Sequence, residues 1–121
     1  MRFHFVATEA DSQEESEVAL AGVASHEHYL TFQRALPVGC DEDWGIHVEF
    51  DDQINSGYEK IARCYLSRAL LRVEFTEPID GQKKYSEAEI ELQLTDAQFQ
   101  SLAGGLRRVF AQREELLSVE S

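Results

Sequence analysis

Apolar and polar positions alternate with period two along much of this chain, and with a helical period only near its end. Phe3, Phe5 and Ala7 alternate with Arg2, His4 and Val6, which predicts an opening strand. Glu9 to Glu17 is polar and acidic and reads as a connection. Val18 to Val23 is a continuous apolar run, consistent with a strand covered on both faces, although periodicity alone leaves a short helix open. His28 to Leu36 is rich in aromatic and β-branched residues and predicts another strand, broken by Pro37 and Gly39. Trp44, Ile46, Val48 and Phe50 then form a period-2 stripe, with Gly45, His47 and Glu49 on the other face.

Asp51 to Gly57 has turn composition. Ile61 to Leu66 and Leu70 to Phe75 read as two strands joined at Ser67-Arg68-Ala69, and Pro78 to Gly81 as a turn. The clearest alternation follows. Ala88, Ile90, Leu92 and Leu94 face in; Glu87, Glu89, Glu91 and Gln93 face water, with Arg72 and Lys84 as cross-strand partners for the glutamates. Thr95 with Gln98 is a capping-box signature. It opens a helix whose apolar face is Phe99, Leu102, Leu106, Val109 and Phe110. Gly104-Gly105 is unfavourable inside a helix and predicts close approach of its backbone to the sheet. Strands followed by one helix predict an α+β fold: a largely antiparallel sheet with a C-terminal helix packed on one face.

Composition narrows the function. A chain of 121 residues predicts a single domain, residues 1–121, and 43% apolar content suits a folded, soluble protein. The formal net charge is −12 and uneven. Residues 1–57 hold 12 acidic and 2 basic side chains, net −10; residues 58–121 hold 11 and 9, net −2. Such a field repels phosphates, so nucleic acid and anionic membrane are disfavoured, and a basic protein partner is favoured. Cys40 and Cys64 form no disulfide framework and no CxxC motif. With no hydrophobic segment long enough for export, they predict a cytoplasmic protein.

Little here points to catalysis. His26 and His28 could share one face of a strand, but a metal site needs a third ligand that nothing in the sequence requires. Counted from Asp51, a calcium loop would need Gly at position 56 and Glu at position 62; the chain has Ser56 and Ala62. Cys64 falls inside a strand, and Asp41, Glu42 and Asp43 oppose thiolate formation at Cys40. No nucleophile elbow, phosphate loop, zinc-protease or dinucleotide motif is present. The expectation is a protein that is not an enzyme and needs no cofactor.

A binding surface is the remaining reading. Between Asp41 and Tyr58 there are acids but no Lys or Arg. Trp44 is either the first core residue of its strand or an exposed aromatic anchor ringed by acids. Tyr58 is similarly either packed on the sheet rim or part of that anchor.

The order of HYLTFQR (His28–Arg34), GIHVEFDDQINSGY (Gly45–Tyr58), the Leu66-Ser67-Arg68 turn and the acidic alternating strand before the helix resembles the immunity protein 10 family. The resemblance runs from about Phe3 to Phe110, with Leu30–Arg34 and Glu49–Tyr58 its specific parts. It implies a small bacterial protein of a polymorphic toxin system that binds and blocks a cognate toxin. An acidic inhibitor suits a basic nuclease. The residues expected at the interface are Asp41, Glu42, Asp43, Trp44, Asp51, Asp52, Asn55 and Tyr58. The alternative is an acidic, non-enzymatic adaptor or structural module, homodimeric through an exposed sheet edge.

Overall fold

The computed structural model describes residues 2–80 and 84–120. Its strands are β1 (Arg2–Ala7), β2 (Glu9–Glu14), β3 (Val18–Ala24), β4 (Tyr29–Ala35), β5 (His47–Phe50), β6 (Asp52–Tyr58), β7 (Ile61–Leu66), β8 (Leu70–Asp80) and β9 (Lys84–Leu92). Helix α1 (Asp96–Val109), a 3-10 turn (Glu114–Leu116) and β10 (Leu117–Val119) complete the chain. The fold is α+β, as the pattern predicts. There are two five-stranded sheets rather than one.

The first sheet has the order β1-β9-β8-β7-β10. Its central pairs are antiparallel, and β1 and β10 add in parallel at its two edges. The second is an antiparallel meander, β2-β3-β4-β5-β6. Phe50 of the meander meets Phe3, Phe75 and Tyr85 of the first sheet, with ring centroids 4.6, 5.8 and 5.3 Å away. Helix α1 lies against β2, β3 and β4, and Phe110 just beyond it meets Phe32 edge-on. Residues from both sheets and the helix form one buried cluster.

Three segments differ from their sequence reading. Glu9–Glu14 is a strand and not a connection. It lacks apolar alternation because what it places toward the helix is small: Ala10 and Ser12. Ser12 Oγ lies 2.8 Å from Ser101 Oγ and accepts from Arg108 at 3.2 Å. Asp52–Tyr58 is also a strand. Its turn composition serves Asp51, which has φ 63°, and a bulge that leaves residues 53–55 without partners on β5. Pro78-Ile79-Asp80 continues β8, with Ile79 buried; Gly81 lies outside the described residues. Arg72 does pair with a glutamate, Glu87, at 3.5 Å, whereas the side chain of Lys84 lies outside those described.

Thr95 caps α1 with the expected capping box: its hydroxyl accepts from Gln98 N at 3.1 Å, and Gln98 Oε1 accepts from Thr95 N at 2.9 Å. The two helix glycines behave differently. A methyl group on Gly105 would stand 2.4 Å from Ser12 Cβ and 3.0 Å from Ala21 Cβ, so the close approach predicted for the pair occurs there. A methyl group on Gly104 would meet nothing nearer than 3.7 Å. Gly104→Ala should therefore stabilise by up to about 1 kcal/mol through helix propensity. Gly105→Ala should destabilise by about 1–3 kcal/mol through overpacking. Urea denaturation checks both; equal effects at the two positions would contradict the packing.

Candidate functional site

The segment between β4 and β5 is pinned from below. Arg34, buried on the inward face of β4, donates from Nε and Nη2 to the two oxygens of Asp43 at 2.7 and 3.0 Å. Its Nη1 donates to the carbonyls of Val109 and Ala111 at 3.0 and 2.9 Å, where α1 ends. Asp43 also accepts from the backbone N–H groups of Gly39 and Gly45 at 2.8 and 3.0 Å. One ion pair thus joins strand, loop and helix end. The hydrogen bonds from Arg34 and the two glycines outweigh burial and hold the Asp43 carboxyl well below its usual range, at about 2.

This arrangement corrects the sequence reading of Asp43. Its side chain is 4% exposed and is engaged by Arg34, Gly39 and Gly45, so in the fold it serves as an internal brace rather than standing open at the surface. The stripe starting at Trp44 is corrected too. Gly45 has φ 95° and is followed by buried Ile46, and β5 begins only at His47. The left-handed residue breaks the alternation, so Trp44 and Ile46 are not bound to one face. Trp44 is turned outward, 69% exposed.

Antiparallel pairing brings a second aromatic to it. Tyr58 lies opposite His47 in register. Its ring is 5.6 Å from Trp44, edge-on, and 4.8 Å from His47. Beside these rings a cleft of about 240 Å³ is lined by Glu15, Glu17, Gln33, Glu42, His47 and Tyr58. Among the described residues, Glu15, Glu17 and Glu42 have no ion-pair partner. The meander carries Glu15 and Glu17 there: Val18 lies opposite Ala35, and Gln33 opposite His47. Their sequence signal was the acidic run Glu9–Glu17, visible as charge without a location.

The other expected residues stand apart. Asp51 and Asp52 form the far end of the β5–β6 hairpin, four strand residues or about 13 Å away. Asp51 pairs with His28 Nδ1 at 2.7 Å and accepts from Tyr29 N at 3.0 Å, while Asp52 accepts from Ile54 N at 3.3 Å. Asn55 donates to the Phe50 carbonyl at 3.1 Å and so spans the bulge. Asp41 is exposed in the loop before Trp44. Of the eight residues, Glu42, Trp44 and Tyr58 are thus gathered with His47, Glu15 and Glu17. Asp43 and Asn55 hold backbone.

The two outer sheet faces differ in charge pairing. On the first sheet Arg2 meets Glu87 and Glu89 at 2.6 and 3.2 Å, and Arg72 meets Glu87 at 3.5 Å. On the meander the acids at Glu9, Glu15 and Glu17 have no such cation among the described residues. Burial pushes the Cys64 thiol up to about 12, which leaves it without nucleophilic character at neutral pH. Among the described residues no three His, Cys, Asp or Glu side chains are grouped to hold a metal ion. Among the described residues no helix is long and apolar enough to cross a membrane.

The profile of the family Immunity protein 10 matches residues 4–100, from β1 into α1, and takes in every residue of the cleft. The chain belongs to the immunity protein 10 family. An immunity protein has a cognate toxin as its partner, and immunity protein families are generally non-enzymatic. No curated protein and no solved structure matches the chain.

Proposed function

We propose that this immunity protein neutralises a basic toxin domain, a nuclease by preference, by covering it with the acidic end of the meander. The observation that carries this reading is an exposed Trp44–Tyr58 pair beside Glu15, Glu17 and Glu42, acids without an internal cation among the described residues. Aromatic anchors supply contact area at a small cost in conformational entropy. Unpaired acids speed the encounter with a cationic surface, and a nuclease is cationic where it holds phosphates. Asp41, exposed in the loop before Trp44, adds to the negative field there. Asp51 and Asp52, at the other end of β5, act at longer range. The protein works in the cytoplasm, where it meets a toxin before the toxin reaches its target.

The alternative, an adaptor that pairs with itself through a sheet edge, finds less support. The meander's edges are β2 and β6: the bulge at residues 53–55 interrupts the flat ladder of β6, and β2 carries Glu9, Asp11 and Glu14, which would meet like charges in a second copy. A second copy, itself of net charge −12, would also be repelled as a whole.

The test is binding to the toxin encoded beside this gene, followed by surface plasmon resonance. The double reversal Glu15→Lys/Glu42→Lys should weaken binding about 10-fold, mostly through a slower on-rate, with the difference shrinking at high salt. Wild type failing to bind, or the reversed variant binding at full strength, would overturn the assignment.

A further inference from the structure

Away from the cleft, the outer face of the meander holds a larger depression of about 540 Å³ over β2, β3 and β4. Its lining includes Glu9 and Asp11 on β2, Gly22 and Ala24 on β3, and Tyr29 and Thr31 on β4. The pairing register puts these side chains on one face: Asp11 lies opposite Gly22 and Gly22 opposite Thr31, while Glu9 lies opposite Ala24 and Ala24 opposite Tyr29. At Gly22 and Ala24 the middle strand contributes almost no side chain and the floor sinks between its neighbours, while Leu20 on the same face adds an apolar side chain at the end nearer the cleft. Gly22 is held as glycine by packing, since a Cβ there would stand 2.8 Å from Thr31 Cγ2.

The walls differ from the floor. Tyr29 is fixed, because its hydroxyl donates to Glu49 Oε2 at 2.5 Å. Burial, reinforced by that bond, holds the phenol up at about 12, so the ring stays neutral. Asp11 accepts from the N–H of Ser12 at 2.8 Å, and neither it nor Glu9 has an ion-pair partner among the described residues. A small apolar floor, an aromatic wall and an anionic rim suit one kind of side chain. An arginine lays its methylene stem on the floor, its guanidinium plane against the ring and its N–H groups on the carboxylates. A purely apolar occupant would strip water from Glu9 and Asp11 with nothing in return. A second copy of the chain brings like charge.

We infer that this depression is a second docking point on the meander, a socket for an arginine side chain presented by the toxin. The inference rests on the reading of the partner as a basic protein. It adds that one contact is a discrete arginine in the socket, separate from the aromatic cleft at the other end of the face.

The socket can be tested without the toxin. The probe is the blocked tripeptide acetyl-Gly-Arg-Gly-amide, titrated into the whole protein and followed by amide NMR shifts; its citrulline counterpart has the same shape without the charge. The arginine peptide should shift the amides of Asp11, Gly22 and Ala24 saturably, and the citrulline peptide should not. The isosteric variant Glu9→Gln/Asp11→Asn, altered only at exposed positions, should weaken the peptide about 5-fold or more. Equal shifts with both peptides, shifts centred elsewhere, or an unaffected variant would overturn the socket. If the socket fails while the toxin still depends on Trp44, only this inference falls. If the peptide fills the socket but the neighbouring toxin does not bind, the immunity reading falls instead.

Discussion

Replacing Arg34 by Met is expected to destabilise the protein by about 3–5 kcal/mol, a fall in melting temperature on the order of 12–20 °C. The reason is what remains behind. Asp43 is 4% exposed and would lose the bidentate partner that offsets its desolvation, while the Val109 and Ala111 carbonyls would lose their donor. Arg34→Lys should recover only part, because an ammonium cannot meet two carboxylate oxygens and two carbonyls in one plane. Thermal denaturation of both variants measures this; a melting temperature within about 3 °C of wild type for Arg34→Met would refute the brace.

The same pair shapes the response to acid. Asp43 titrates at about 2 in the folded chain against an ordinary 3.8, so the folded state binds the proton less readily than the unfolded state. Its contribution, about 2 kcal/mol, is present in full above the unfolded value and is lost as pH falls from about 4 toward 2. In Arg34→Met the main cause of the lowering is gone, so the decline over that window should flatten. Chemical denaturation repeated at several pH values reads the slope directly.

Trp44→Ala should weaken toxin binding by about 2–4 kcal/mol, which is roughly 30- to 1,000-fold, with little change in stability. The side chain is 69% exposed, so its removal leaves no cavity in the free protein. Tyr58→Ala should have a smaller effect in the same direction, since Tyr58 both contacts Trp44 and packs on His47. The loss should appear chiefly in the off-rate, in contrast to the acid reversals at Glu15 and Glu42. Surface plasmon resonance on matched folded samples reads both rates and separates the cases. Unchanged affinity for Trp44→Ala would remove the aromatic anchor from the proposal.

How legible the site was depended on which residue was asked. Glu42, Trp44 and Tyr58 stood out as acids and aromatics in a stretch without cations, and folding gathers them. Asp43 looked the same as Glu42 in the sequence. Only the inward position of Arg34 on β4 makes it a brace. Glu15 and Glu17 were visible as charge, but their place beside Glu42 needs the β2–β3–β4 register.

Local patterning by itself determined the strands with one wet and one dry face, the capped helix and the α+β class, because each follows from side-chain period and backbone preference over a few residues. It also determined the acidity of the first half. Tertiary structure alone decided that there are two sheets, since β1 joins β9 and β10 joins β7 across long stretches of chain. It alone made strands of Glu9–Glu14 and Asp52–Tyr58, which carry little apolar alternation and are held by backbone pairing to their neighbours. And it alone separated the acids that serve the fold from those left facing water, because a carboxylate's role is set by the cation it reaches, and reach is a matter of distance in space.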